Sequence, residues 1–249
     1  MQVYAAIDLL NGKCVRLTQG DYSRDTIYNP NPIDQALSFQ QQGSPWLHIV
    51  DLDAAKTGKA TNREIIYEIC SKVEIPVQTG GGIRDQQVAK ELFDAGVSRI
   101  VLGTSALVDP NFLSQMLDRY GDKVAVGIDY RPTGDASLGQ VAIRGWQQSG
   151  DKNVIETLDQ ISQQGAKYII VTNIAKDGML QGPDFEGLQA VLGACSLEVI
   201  ASGGITTTQD VSKLANLSVD QKTISGVIIG RAIYEGNISV AEAVKACKV

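Results

Sequence analysis

Eight short β-branched runs, separated by amphipathic stretches from one end of the chain to the other, predict a closed (β/α)8 barrel, the TIM-barrel form of the α/β class. Two further observations support that expectation. The runs are nearly continuous in apolar residues instead of alternating, as strands covered on both faces require. The two halves of the sequence also resemble each other. Ile7-Asp8 returns as Ile128-Asp129, Val50 as Val171 inside LHIVDLDAAKTG and YIIVTNIAKDG, and Gly81-Gly82-Ile83 as Gly203-Gly204-Ile205. A repeat of half the chain predicts four strand–helix units doubled, an internal half-barrel duplication with halves near 1–121 and 122–249. No Ser/Pro-rich or charged boundary interrupts the middle, so 1–249 reads as a single domain, with an open doubly wound sheet as the lesser alternative.

The strands are expected at 3–9, 46–52, 77–79, 99–103, 124–128, 168–172, 198–201 and 226–230. Helix punctuation lies between them. Asn31-Pro32 is an N-cap followed by proline at the first helical position, ahead of Ile33, Ala36 and Leu37. Thr61-Asn62-Arg63-Glu64 fits a capping box before Ile65, Ile66 and Ile69. Asp85 is placed to cap a helix carrying Val88, Ala89 and Leu92. Asp109-Pro110 repeats the first device before Leu113, Met116 and Leu117, and Gly121 supplies the stop. Val154, Leu158 and Ile161 make another apolar stripe, read with the others as core.

Composition excludes several function classes. With 22 Lys+Arg against 28 Asp+Glu the formal net charge is −6, against the basic face that a nucleic acid or anionic membrane requires. No apolar run approaches the ~18–20 residues of a membrane span. The opening Met1-Gln2-Val3-Tyr4 lacks the basic flank of a signal peptide, so a cytoplasmic location is expected. Cys14, Cys70, Cys195 and Cys247 are scattered without a Cys-x-x-Cys pair, so reduced thiols are expected instead of disulfides or a zinc finger. His48 is the only histidine, which removes Ser-His-Asp chemistry and multi-histidine metal sites and leaves acid–base work to carboxylates. Placed inside a strand, His48 itself reads as a satisfied core residue.

In such a barrel the active site forms where strands end and βα loops begin. Those ends carry Asp8, Asp51, Gly80-Gly81-Gly82, Gly103-Thr104, Asp129, Thr172, Gly203-Gly204 and Gly230-Arg231. A glycine turn lets backbone N–H groups close on an anion at a helix N-terminus. Gly203-Gly204 with Gly230-Arg231, and Gly81-Gly82 with Gly103-Thr104 half a barrel away, predict a ligand with phosphate at both ends. Each turn alone would be explained by tight βα geometry; four at symmetric positions favour binding. Asp8 and Asp129 face each other across the mouth, with Asp177 a third candidate, and paired carboxylates can divide acid and base roles. Asp51 and Asp53 read as structural, held by an ion pair to a loop lysine. The long loops 18–31 and 130–151 are read as lids, the second carrying Arg144 and Trp146, suited to a heterocycle. Trp146 is expected to stack on the substrate ring, with a buried anchor for its loop as the alternative.

Ala6-Ile7-Asp8-Leu9-Leu10-Asn11-Gly12-Lys13, with Val15-Arg16-Leu17 and Gln19-Gly20-Asp21-Tyr22, resembles the opening of the phosphoribosyl isomerases of histidine biosynthesis. The likeness continues through LHIVDLDAAKTG, GGGIR, Gly103-Thr104, Gly145-Trp146, Asp177-Gly178, ASGGI (with Ser202) and GRAIYEG, spanning essentially the whole chain. The resemblance implies an Amadori rearrangement of an aminoaldose to an aminoketose on a bisphosphorylated imidazole-carboxamide, without metal or organic cofactor and without an obligate protein partner. It implies Asp8 as proton acceptor, Asp129 as proton donor, Asp177 as a further carboxylate for which an acid role is equally open, and Thr172 as an orienting residue. Arg16, Gly20, Arg144, Trp146, Gly178 and Ser202 join the glycine turns as substrate contacts. Two departures, Asn173 where many members carry Asp and Met179 where they carry Thr, put substrate contacts after the sixth strand in question. Alternatives are a dual-specificity isomerase also serving tryptophan synthesis, the sister cyclase of the pathway, and a non-catalytic phosphosugar-binding barrel.

Overall fold

The computed structural model describes residues 1–18, 20–133, 138–143, 145–146 and 148–248. Among these, eight parallel strands close into a barrel: β1 (Gln2–Leu10), β2 (Trp46–Asp51), β3 (Val77–Gly80), β4 (Arg99–Leu102), β5 (Val124–Arg131), β6 (Tyr168–Asn173), β7 (Glu198–Ser202) and β8 (Lys222–Ile229). Each pairs with the next, and β8 returns to β1 with Val3 opposite Val227. Outside run α1 (Pro32–Gln41), α2 (Arg63–Lys72), α3 (Gln86–Asp94), α4 (Pro110–Tyr120), α5 (Val154–Gln163), α6 (Phe185–Ala194), α7 (Thr208–Ala215) and α8 (Val240–Ala246). The molecule is a (β/α)8 barrel, as the alternation predicts. Among the described residues no helix is long and apolar enough to cross a membrane.

Strand periodicity divides the core into two shells. On β1, Ala5, Ile7 and Leu9 point outward into the large apolar layer under the helices. Tyr4 and Ala6 point inward, joining Ile170, Ile200 and Ile228 in a smaller cluster inside the barrel. Asp8 follows on that inner face, one step above Ala6, and so enters the mouth. The same alternation lifts Asp129 on β5 and Thr172 on β6, which are register partners, to the same end.

Several local devices form as expected. Asn31, Asp85 and Asp109 each cap their helix by accepting from backbone N–H groups, the first and third followed by proline. The expected capping box at Thr61 does not form: Asn62 is the N-cap of α2, but its side chain makes no cap bond. Its amide is drawn inward to the carboxylates of Asp51 and Asp53 and toward the carbonyl of Leu9. Asp53 also accepts from Asn11 N and Asp51 from Ala54 N, so these two acids are held by the Asn62 amide and backbone N–H groups, not by the lysine that the sequence suggested.

The segments read as lid loops contain regular structure. Lys13–Thr18 and Asp21–Asn29 form an antiparallel ribbon rising from β1, with Asp8 opposite Val15. Gln140–Ile143 and Gln148–Asn153 form a second ribbon on β5, with Asp129 opposite Ala142. Each ribbon is thus hydrogen-bonded to the strand that carries a mouth aspartate.

Candidate active site

A cavity of about 850 Å³ opens at the C-terminal ends of the strands, and Asp8, Asp129 and Asp177 all line it. Its wall includes Arg16, Gly20, Gly81, Gly82, Gly103, Thr104, Trp146, Thr172, Gly178, Ser202, Gly203, Gly204, Gly230 and Arg231, so every described residue expected at the site reaches it. Arg144 lies outside the described residues.

The three carboxylates have different surroundings. Asp8 accepts from Arg16 Nη1 at 2.5 Å, an ion pair largely withdrawn from solvent. Asp129 accepts from Trp146 Nε1 at 2.7 Å and from the Thr172 hydroxyl; burial raises its pKa, while both hydrogen bonds pull the other way. Asp177 sits just past β6. Burial pushes its pKa up to about 6; Arg16 opposes the rise, and the charges of Asp8 and Asp129 add to it. Burial also works against the charge on Arg16, but Asp8 and Asp177 more than restore it, so the guanidinium stays a cation among three acids. Burial thus favours the protonated form of both Asp129 and Asp177, the latter reaching about 6.

Trp146 connects the two ribbons. Its indole passes over Gly20, where a Cβ would lie 2.5 Å from Trp146 Cε3, so only glycine permits the contact. Gly145 and Trp146 both have positive φ, 62° and 70°. That conformation is natural for glycine and costs a bulky residue of order 1–3 kcal/mol, a cost retained where surrounding contacts or function hold it. Arg131 donates to the Trp146 carbonyl from the neighbouring strand.

The glycine turns are matched in the two halves. Gly81 and Gly82 have φ of 102° and 69°, Gly203 and Gly204 of 88° and 80°. Side chains at Gly81 and Gly204 would collide with the carbonyls of Asp51 and Gly182 at 2.2 and 2.3 Å, so turn geometry alone demands glycine there. Gly103 and Gly230 precede the short helices Thr104–Val108 and Arg231–Tyr234. The space beside Gly103 is open for 4 Å, whereas beside Gly230 it is filled by the Arg16 guanidinium.

His48 is buried and hydrogen-bonded to Gln78, the satisfied core residue that the sequence predicts, and it also lines the cavity. Burial and the nearby Arg16 charge lower its pKa to about 3, so the ring is neutral. The departures Asn173 and Met179 do not alter the cavity wall, since neither residue lines it. Asn173 is buried, donating to Asp184 Oδ2 at 2.7 Å and accepting from Ala175 N at 2.9 Å. Asp184 also receives the Tyr130 hydroxyl, so the Asn fits a donor-demanding position behind the wall. Among lining residues that sequence reading missed are Lys56 and Arg84 on the rim; Arg84 stands two residues after Gly82, which was a usable signal.

The comparisons with known proteins agree with this geometry. The model of the histidine biosynthesis protein family matches residues 2–239. The chain belongs to that family. A relative from Ruminiclostridium cellulolyticum is 43% identical over 99% of this chain and 100% of its own length. One from Thermoanaerobacter pseudethanolicus is 40% identical over the full length of both. One from Bacillus subtilis is 41% identical over 99% of this chain and 97% of its own. Each is named an imidazole-4-carboxamide isomerase whose name carries two 5-phosphoribosyl groups.

Proposed function

We propose that this chain is the aldose–ketose isomerase of histidine biosynthesis, converting the bisphosphorylated N-(phosphoribosylformimino) aminoimidazole carboxamide ribotide into its ribulosyl isomer. One observation carries the reading. Three aspartates with unlike surroundings line a single cavity whose opposite rims, half a barrel apart, are matched glycine turns. A substrate with phosphate at both ends would lie across that mouth, one phosphate near Gly81, Gly82, Gly103 and Thr104, the other near Gly203, Gly204, Gly230 and Arg231.

The reaction needs an acid and a base. Protonating the ribose ring oxygen breaks its bond to C1 and gives an open-chain Schiff base; removing the C2 proton then gives an enaminol. Protonation at C1 and loss of the C2 hydroxyl proton yield the ketone. Asp177, with its pKa about 6, suits the acid. Asp8, held beside Arg16, suits the base, because its carboxylate is oriented at the end of β1. Asp129, fixed by Trp146 and Thr172, positions those groups and tunes Asp177 by its charge. Substrate binding would move the Trp146 indole onto the imidazole ring and exclude water from the Schiff base. The chain acts as one domain, 1–249, in this reading.

Incubating purified protein with the aminoaldose and following absorbance tests it, with phosphoribosylanthranilate run alongside. Conversion to the ketose, slowed on the order of 10²–10⁴-fold by Asp8→Asn, is expected. A folded protein that leaves the aminoaldose unchanged would overturn the reading.

A further inference from the structure

Beneath the cavity lies a row of polar side chains that the acid–base steps do not use. His48 on β2, Gln78 on β3 and Arg99 on β4 are successive register partners, so the sheet places them side by side. Arg99 is buried, its Cζ 3.8 Å from the Tyr168 ring centre and 4.8 Å from that of Trp46. Its Nη1 donates to the Tyr4 hydroxyl at 3.0 Å and to Gln78 Oε1 at 3.3 Å. The other end of the fully buried Gln78 amide, Nε2, meets His48 Nδ1 at 2.9 Å.

The direction of this row follows from donor chemistry. A guanidinium has donors only, so the amide oxygen of Gln78 must face Arg99. That leaves the amide N–H pointing at His48 Nδ1, which must then offer a lone pair, and the ring proton belongs on Nε2. We infer that Gln78 and Arg99 are positioning residues that hold His48 in its Nε2–H tautomer, so that it presents one neutral hydrogen-bond donor to a polar oxygen of the substrate. A ring so held has no free lone pair and cannot act as a base; it orients the substrate and stabilises oxygen charge in a site shielded from water. The charge acting on the ring is that of Arg16, with Arg99 one partner further along the row, and the lowered pKa keeps the ring neutral across the working range. The role toward substrate rests on the isomerase reading, while the tautomer does not.

Because His48 is the only histidine, 15N-histidine labelling gives a single imidazole spectrum. Nε2 couples to both carbon-bound ring protons and Nδ1 strongly to one, which identifies the protonated nitrogen. The expected result is protonated Nε2 and unprotonated Nδ1 at every pH from about 5 to 9. Protonated Nδ1 in the unmodified chain would overturn the inference. Gln78→Glu puts an acceptor toward both neighbours and should move the proton to Nδ1, lowering kcat on the order of 10²-fold, as loss of one preorganised donor does. An inverted tautomer with unchanged kcat would refute the positioning role. Should that variant not fold, Gln78→Met should give both tautomers in exchange, and retention of Nε2–H alone there would equally refute it. Turnover by the unmodified chain is measured first, so failure of the isomerase reading is seen separately from the tautomer result.

Discussion

The Arg16 guanidinium occupies the space that a side chain on Gly230 would fill: a Cβ there would stand 0.9 Å from Arg16 Nη2. The same guanidinium holds Asp8 at 2.5 Å. A glycine after the last strand therefore determines where the cation beside the first-strand carboxylate rests. Gly230→Ala should displace the flexible end of Arg16 instead of disrupting the barrel. The expected outcome is a stability change under about 1 kcal/mol together with a kcat/KM loss of about tenfold or more. Thermal unfolding and steady-state kinetics on the same preparation check it. A large stability loss with normal kcat/KM in the folded fraction would show that the Arg16 position does not matter.

Asp177 makes stability depend on pH with a definite sign. Its pKa rises from 3.8 to about 6 on folding, so between those values the folded state holds more proton than the unfolded state. Stability accordingly falls as pH rises from about 4 to about 6, and above that the buried charge carries its full cost, on the order of 3 kcal/mol. Asp177→Asn should stabilise the protein at pH 7 to 8 by about that order, with the gain disappearing near pH 4. Urea unfolding at the two pH values measures it. If Asp177 supplies the ring-opening proton, the kcat/KM of the unmodified enzyme should decline above about pH 6, and the variant should lose that limb together with most of its activity.

Replacing Asp8, the proposed base, should separate shape from proton uptake. Asp8→Asn keeps the side-chain outline and can still meet Arg16 through its amide oxygen, but it takes no proton. A kcat loss on the order of 10²–10⁴ with modest change in KM is expected. Near-normal turnover would move the base elsewhere. Asp129→Asn, measured in parallel, should leave more residual activity than Asp177→Asn.

Asn62 shows why local sequence reading failed where it did. Thr61-Asn62-Arg63-Glu64 has the composition of a capping box, yet Asn62 is fully buried and spends its side chain on Asp51, Asp53, Leu9 and Gly12. All four partners lie on or beside β1 and β2, and no local rule announces them. Asn62→Ala should cost about 2–4 kcal/mol, since it leaves buried groups unpaired, while kcat of the folded enzyme stays near normal because Asn62 does not line the cavity. A cost below about 0.5 kcal/mol in urea unfolding would show that these bonds are replaced by water.

The barrel strands were legible because each is buried on both faces, which writes an apolar run directly into the chain, as at Arg99–Leu102 with Ile100 and Leu102 fully enclosed. The ribbons were not. Asp21–Asn29 is mostly exposed and Gln148–Asn153 is polar throughout, so neither carries the hydrophobic period by which strands are recognised. The aspartates and glycines of the mouth were readable from position alone, since strand ends fix them. That His48 also borders the cavity was not legible, since its hydrogen-bond partner Gln78 lies thirty residues away and Arg99 beyond it. Long-range hydrogen bonds leave no local trace.

Trp146 joins a strained backbone, a close approach and a cavity-lining carboxylate, and these make its replacement informative. The residue has φ of 70°, its ring crosses Gly20, and its Nε1 donates to Asp129 at 2.7 Å. A residue kept there only as a packing anchor would lower stability when removed. A residue kept for binding would not, because its backbone conformation already costs energy that glycine would relieve. Trp146→Gly is therefore expected to leave thermal stability unchanged or slightly raised, while raising KM and lowering kcat through loss of the substrate-facing indole and of the Asp129 bond. Losing that hydrogen bond should also let the pKa of Asp129 rise further, since the indole N–H favours the ionised form. Indole fluorescence should change when the ketose product binds, with Trp46 on the barrel floor supplying the background and removable by mutation. Clear destabilisation of Trp146→Gly, with no ligand-dependent emission from the indole at 146, would assign the residue to packing and leave the glycine turns and the three aspartates to hold the substrate alone.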